Sequence, residues 1–443
     1  MRTYPEYKDS GVEWIGEIPK GWEVERLKYF SEVVLSSVDR HIIEEELGVS
    51  ICHYPDVYNN EVINKTTVLP SGTCTEFEFE KFHLRTGNIL LTKDSESPDD
   101  IGVPTFVEEE LENTVCGYHL SQITPIRNNI FPKFLYRYIQ SDFVSSYFET
   151  EANGITRYGL GKPSIENVSV PLPPHSEQKQ ISDYLDRKTQ QIDDLIEKTG
   201  RKIELLKEQR SSLINQCVTK GLDPNVEMKD SGIEWIGEIP KGWNTKRIKH
   251  LSQVKRGSSP RPIDDPKYFD DENGEYSWVR ISDVSASEKY LEKTTQKLSE
   301  LGSSLSTKMT PGDIFLSIAG TVGKPIITNI KCCIHDGFVW FENLNYEKEL
   351  LYQIFLTGVC FQGLGKMGTQ LNLNTDTVGG ISIPIPPPSE QKQISDYLDK
   401  ETSKIDQMVD NETKRIDLLK EYRQSLISDV VTGKIDVRDE IVQ

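Results

Sequence analysis

Three short polar segments carry side chains suited to one kind of chemistry. RGSSPRP at Arg256–Pro262 places Arg256 and Arg261 around the Ser258 hydroxyl and free backbone amides, just after Lys246, Arg247, Lys249 and Lys255. ITRYGLGKP brings together Arg157, Tyr158 and Lys162, and KMGTQLNLN brings together Lys366, Thr369, Gln370, Asn372 and Asn374. Lys324, in the glycine-rich AGTVGKP, adds a further cation. An arginine fork matches the edge of guanine, and an asparagine or glutamine amide matches adenine, so these segments have the vocabulary of base readout. Taken singly, each such residue is also what a solvated surface carries.

The elements that must position these residues are written twice. SEQKQISDYLD at Ser176–Asp186 recurs unchanged at Ser389–Asp399, and KDSGVEWIGEIPKGW at Lys8–Trp22 returns at Lys229–Trp243 with one change, valine to isoleucine. The chain therefore reads as a leader (1–22), a first body (23–175), a helix (176–221), a linker and second leader (222–243), a second body (244–388), a second helix (389–434) and a tail (435–443).

Within the first helix, Leu185, Ile192, Leu206 and Leu213 hold a seven-residue register through Thr199, and Ile196 and Ile203 continue to Arg210 and Cys217. The second keeps that register with Leu398, Ile405, Leu419 and Leu426 through Glu412, beside Val409, Ile416, Arg423 and Val430. Such a stripe predicts a coiled-coil seam. Prolines upstream bar the helix from starting earlier, Ser176 is placed to cap it, and Gly221 and Gly433 stop the two copies. About forty residues make a rod about 60 Å long whose apolar stripe needs a partner, and the other copy is the nearest one.

The bodies have diverged while the frames have not. Both read as short strands broken by turns, such as Asn88–Thr92 and Asp313–Ser317, with helical patches at Pro132–Phe148 and Glu347–Phe361. Each is expected to be one α+β domain. Holding a scaffold constant while two equivalent domains drift apart suits a protein that must recognise two different things.

Catalysis finds little support. Gly320, Gly323 and Lys324 lack the spacing of a Walker loop, and Pro325 follows the lysine. Cys116 and His119 form a CxxH, and Cys332, Cys333 and His335 a second compact group, but neither has a matching pair at zinc-finger spacing. No acid, base or nucleophile matches between the bodies, and no adenine-methyltransferase motif is present. The chain is expected to be non-catalytic and to hold no metal. Seven cysteines without shared spacing, a start without an apolar run, and no stretch of eighteen apolar residues point to a cytoplasmic protein.

The WIGEIPKGW leader, the IPIPPPSEQKQISDYLD entry to a long helix, the duplication and the two dissimilar bodies together resemble the DNA specificity subunit of a Type I restriction-modification system. The resemblance covers the whole chain. It implies two tandem α+β target-recognition domains, each reading half of a split double-stranded DNA site, separated by two long antiparallel helices that act as a ruler. It also implies that the helices dock two modification subunits, which methylate adenine, and that restriction subunits join through them. S-adenosylmethionine, ATP and magnesium would then belong to those partners and not to this chain.

A net charge of −19 sets a condition on DNA binding. Residues 23–175 carry 12 basic and 24 acidic side chains, whereas 244–388 carry 16 of each. Acidic clumps such as Glu44–Glu46 and Glu108–Glu110 must face away from a duplex, and partners are expected to supply part of the affinity. The alternative from another class is a coiled-coil scaffold presenting two protein-binding domains, which would lack the steep salt dependence of a DNA reader.

Overall fold

The structure is a computed structural model that describes residues 2–364 and 373–440. The chain forms two compact units, Met1–Gly200 with Lys414–Gln443, and Arg201–Thr413. This division cuts across the linear order of repeats, because each long helix gives one half to each unit. The helices are α1, His175–Lys220, and α2, Pro388–Val431.

The two main sheets of the first body include β1 (Ser31–Leu35), β2 (Leu47–Cys52), β3 (Val62–Ile63), β4 (Ile89–Thr92), β5 (Pro104–Val107), β6 (Thr114–Cys116) and β7 (Leu120–Pro125), with Ser71–Cys74 pairing antiparallel to β2. One sheet runs β1-β7-β4-β5-β3, and β6 lies parallel to β2 in another. In the second body the counterparts are β8 (Gln253–Arg256), β9 (Tyr276–Val279), β10 (Tyr290–Leu291), β11 (Ile314–Ser317), β12 (Pro325–Thr328), β13 (Cys332–Ile334) and β14 (Phe338–Glu342). Here the first sheet runs β8-β14-β11-β12-β10, and β13 lies parallel to β9. The order of the five-stranded sheet is the same in both bodies although their sequences differ, while the other sheet has three strands in the first body and four in the second. Burial explains how: β4 and β11 are buried throughout, three apolar residues followed by Thr92 or Ser317, and such a pattern needs only hydrophobic residues of suitable size ahead of one small hydroxyl.

The expected helical patch at Pro132–Phe148 is two helices, Pro132–Ile139 and Asp142–Glu151. The patch at Glu347–Phe361 is a helix, Lys348–Leu356, followed by a 3₁₀ turn, Val359–Phe361. The cap of α1 also differs from expectation. The helix begins at His175, so Ser176 lies inside its first turn, and the Pro174 carbonyl accepts from the amides of Glu177 and Gln178 at 2.8 and 3.1 Å. Pro387 plays this part for α2. A proline that blocks the helix upstream still has a carbonyl to offer it.

In the first unit Leu185, Ile192 and Leu426 are buried in the core with Phe134 and Tyr138, and Ile196 and Leu419 pack half-buried against it; Ile416 is half-buried. In the second unit Leu398 is buried in the core, Leu213 packs half-buried against it, Ile405 is buried, and Ile203, Leu206 and Val409 are half-buried. The stripe therefore serves two purposes, since its ends enter the body cores while its middle faces the other helix. Each fully buried aliphatic side chain contributes about 1.5–3 kcal/mol.

The polar interruptions of the stripe are reciprocal. In the second unit Arg210 makes a two-pronged contact with Asp406 at 2.7 and 3.1 Å, and Lys202 reaches Glu412 at 2.5 Å. In the first unit Arg423, the counterpart of Arg210, grips Asp193 at 2.9 and 3.2 Å. Partners fall from 412 to 406 as positions rise from 202 to 210, so the helices run antiparallel. Bidentate pairs of this kind act mainly by selecting register.

Both leaders fold as hairpins that end on a buried tryptophan. Trp22 donates to Glu177 at 3.3 Å in the first unit, where the Tyr4 hydroxyl also donates to Glu177 at 2.5 Å. Trp243 donates to Glu390 at 2.9 Å in the second. Glu177 and Glu390, each in the first turn of its helix, are thus the anchors of the leaders. Residues 435–443, set apart on the sequence as a tail, supply Ile435 and Val437 to the first unit's core, and the Asp436 amide donates to the Arg2 carbonyl at 2.9 Å.

Gly433 adopts φ +76°, and a Cβ there would lie 2.4 Å from Pro19. Gly433→Ala is expected to destabilise the first unit by about 1–2 kcal/mol from the left-handed backbone alone, with the collision adding to it. Thermal unfolding should show a lower midpoint, while Gly380→Ala, with open space around it, should leave the midpoint in place.

Candidate nucleic-acid interface

The ITRYGLGKP segment forms a short hairpin, Asn153–Gly154 with Tyr158–Gly159, whose second strand pairs with Asp94–Ser95. This pairing brings Arg157 to the turn that joins β6 to β7. The Arg157 Nη2 lies 3.3 and 3.5 Å from Nδ1 and Nε2 of His119, and His119 Nδ1 lies 2.9 Å from the Asp94 carboxylate. With the proton on Nδ1, the imidazole donates to Asp94 and leaves Nε2 as the acceptor for Arg157. Burial alone would raise the Asp94 carboxyl, but hydrogen bonds from Lys93, at 2.7 Å, and from His119 hold it below its ordinary range. Arg157 itself is exposed, Tyr158 is half-buried against the core, and Lys162 is exposed near Glu166 at 3.5 Å.

Beside this group lies a cavity of about 370 Å³ lined by Arg40, His41, His53, Tyr54, Tyr118 and His119, among others. In a body with a net charge of −12, cations and imidazoles converge here, and the nearby carboxylates are engaged. Asp39 pairs with His41 at 2.9 Å, Asp56 accepts from the His53 amide at 2.8 Å, and Asp94 is held as described. His53, Asp94 and His119 were not singled out as recognition residues on the sequence, because they are far apart in it.

In the second body RGSSPRP leaves the end of β8 and lies over the turn joining β13 to β14. The Arg256 Nε donates to the Asp336 carbonyl at 2.5 Å, and Arg261 donates to the Asp336 carboxylate at 3.0 Å. Ser258 is exposed, its hydroxyl 3.0 Å from that of Thr307, and its amide donates to the Ile334 carbonyl at 3.2 Å. A Cβ on Gly257 would lie 2.2 Å from the His335 carbonyl, so the approach of these two segments requires glycine. Burial pushes the His335 imidazole below its ordinary value, and its Nδ1 accepts from the Gly337 amide at 2.9 Å. The Asp336 carboxylate lies 3.8 Å from that nitrogen and is engaged by Arg261.

Lys324 behaves differently. Its ammonium donates to the Ser285 and Ser287 carbonyls at 3.1 and 2.6 Å, where it closes the end of the helix Ile281–Ala286. Lys366, Thr369, Gln370 and Asn372 lie outside the described residues. Asn374 caps the helix Thr375–Gly380 through the amides of Asp376 and Thr377. All seven cysteines are buried and free, and among the described residues no group of three metal-binding side chains occurs. No helix among them is long and apolar enough to cross a membrane.

A family model described as the Type I restriction modification DNA specificity domain matches residues 19–206 and again 240–421. The chain belongs to this family. The Type I restriction enzyme MjaVIII specificity subunit of Methanocaldococcus jannaschii is 24% identical over 438 residues, covering 95% of each chain. A solved chain from a structure addressing complex assembly and conformational transition of the type I R-M system covers 94% of this chain and 99% of its own, with TM-score 0.73 and 16% identity. The HsdS subunit of Thermoanaerobacter tengcongensis covers 94% and 98% with TM-score 0.55 and 17% identity. The two solved chains share the fold. As a Type I specificity subunit, this chain has two mixed α/β domains that both match one DNA specificity domain model.

Proposed function

We propose that each body reads one half of a bipartite target in double-stranded DNA, and that the helix pair sets the gap between the halves. The observation that carries this reading is the pairing of one strand order with two unlike sets of exposed loop residues. In the first body Arg157, Tyr158 and Lys162 face DNA, and in the second Arg256, Ser258 and Arg261 do; Lys366, Thr369, Gln370 and Asn372 are assigned to DNA contact from their residue types alone. Lys324, turned to backbone carbonyls, supports its loop.

The helices also dock two modification subunits, through which restriction subunits join. Leu195 and Leu418 in the first unit, and Leu205 and Met408 in the second, are large apolar side chains exposed on helix surfaces, as a docking face requires. The chain itself performs no chemistry. S-adenosylmethionine, ATP and magnesium serve the partners.

The test is to exchange residues 23–175 for the equivalent body of a relative and map methylation by the resulting complex. One half of the methylated motif is expected to change while the other half and the gap persist. A motif altered in both halves would overturn modular reading.

A further inference from the structure

The turns joining β6 to β7, residues 117–119, and β13 to β14, residues 335–337, occupy the same place in the two bodies. Each follows the strand that lies parallel to a strand ending at a helix cap, β2 before His53 and β9 before Arg280. The turn sequences differ, GYH against HDG, yet both hold arginine. His119 receives Arg157 from a hairpin that follows it in the chain, and Asp336 receives Arg256 and Arg261 from a segment that precedes it. Different residues reaching the same turn from opposite directions along the chain have produced one result: an exposed guanidinium held at one edge with further N–H groups left over.

We infer that this turn is, in both bodies, the platform that fixes guanine-reading arginines, with His119 and Asp94 as positioning residues for Arg157, and Asp336 as the positioning residue for Arg256 and Arg261. The inference rests on the DNA-reading proposal and deepens it. A phosphate contact requires only positive charge at a tolerant distance, which a mobile lysine supplies. A base edge demands donors in a set plane, and a long side chain meets that demand only if its conformational freedom is already spent. The carboxylates support this assignment. Asp94 and Asp336 would repel phosphate if unpaired, but both are engaged by the groups they orient. Gly257, closed against the His335 carbonyl, and the Ser258 amide, bonded to Ile334, hold the RGSSPRP segment to the turn itself.

The test uses the full chain assembled with its modification subunits and a randomised duplex library, read by methylation. Arg157→Ala and His119→Ala are each expected to relax the same single G·C position in one half-site, by about tenfold to a hundredfold in discrimination. Asp94→Asn should do so more weakly, and the double variant His119→Ala/Arg157→Ala should lose no more than Arg157→Ala alone. Asp336→Ala and Arg261→Ala should relax one shared position in the other half-site. The half-site read by the unaltered body serves as an internal control for folding and assembly. An unchanged motif, an even loss over all sequences, or His119→Ala and Arg157→Ala relaxing different positions would each overturn the inference. Failure of the unaltered complex to show any bipartite motif would instead sink the DNA-reading proposal beneath it.

Discussion

Adding one heptad to each helix, after Thr199 in α1 and after Glu412 in α2, is expected to leave both half-sites of the methylated motif unchanged and to lengthen the gap between them. The insertion points match in level within the pair, because Lys202 of α1 bonds Glu412 of α2 at 2.5 Å. Seven residues advance the helix face by nearly two turns, so the apolar stripe and the Arg210–Asp406 and Arg423–Asp193 pairs keep their register. Each helix gains about 10 Å, which corresponds to roughly 3 base pairs of duplex. Those base pairs also rotate the second half-site by about 100° around the DNA axis. Efficiency should therefore fall, since duplex or helices must twist to restore both contacts. Methylation mapping of the variant complex decides the matter: full activity on the original gap would show that the helices are not the ruler.

Trp243→Ala should be among the most destabilising single changes in the second unit. Trp243 is 2% exposed, and it packs where α1 ends and α2 begins, since a Cβ on Gly221 would lie 3.1 Å from its ring. Truncating a buried tryptophan costs about 3–5 kcal/mol, and the Glu390 carboxylate would lose its indole donor. For a unit of this size that loss lowers the melting midpoint by on the order of 10 °C. Trp243→Phe, which keeps most of the ring but not the donor, should fall in between. Glu390→Gln should cost least, because the amide oxygen still accepts. Calorimetry of the intact chain reads all three, and a shift below about 2 °C for Trp243→Ala would remove the tryptophan from this role.

The long helices were legible because their signals are local and repeated: a proline block, a seven-residue stripe and a terminal glycine. Their polar interruptions were legible as positions but not as contacts. Arg210 and Arg423 looked like lapses in an apolar seam until the antiparallel register set each against an aspartate of the other helix. Ser176 shows the reverse case, where a strong local cap signal lost to the carbonyl of Pro174, which the extended backbone before the helix had already aimed at the first amides.

The candidate recognition residues were readable by type but not by company. Arg157, Arg256 and Arg261 stood out because exposed arginine beside glycine, serine and proline is informative in one dimension. Asp94 did not, and His119 drew notice only as part of a CxxH, since nothing in a chain links positions 94, 119 and 157 until a hairpin pairs with Asp94–Ser95 and a turn brings His119 beneath it. By itself the sequence determined the duplication, the α+β class, the helices and the family, all of which depend on periodicity and motif spacing. Only the tertiary structure decided that Glu177 and Glu390 anchor the leader tryptophans, that Lys324 is spent on backbone carbonyls, and that one turn in each body holds arginine. Those outcomes depend on which distant groups share a volume, and sheet pairing and core packing set that, not the order of residues along the chain.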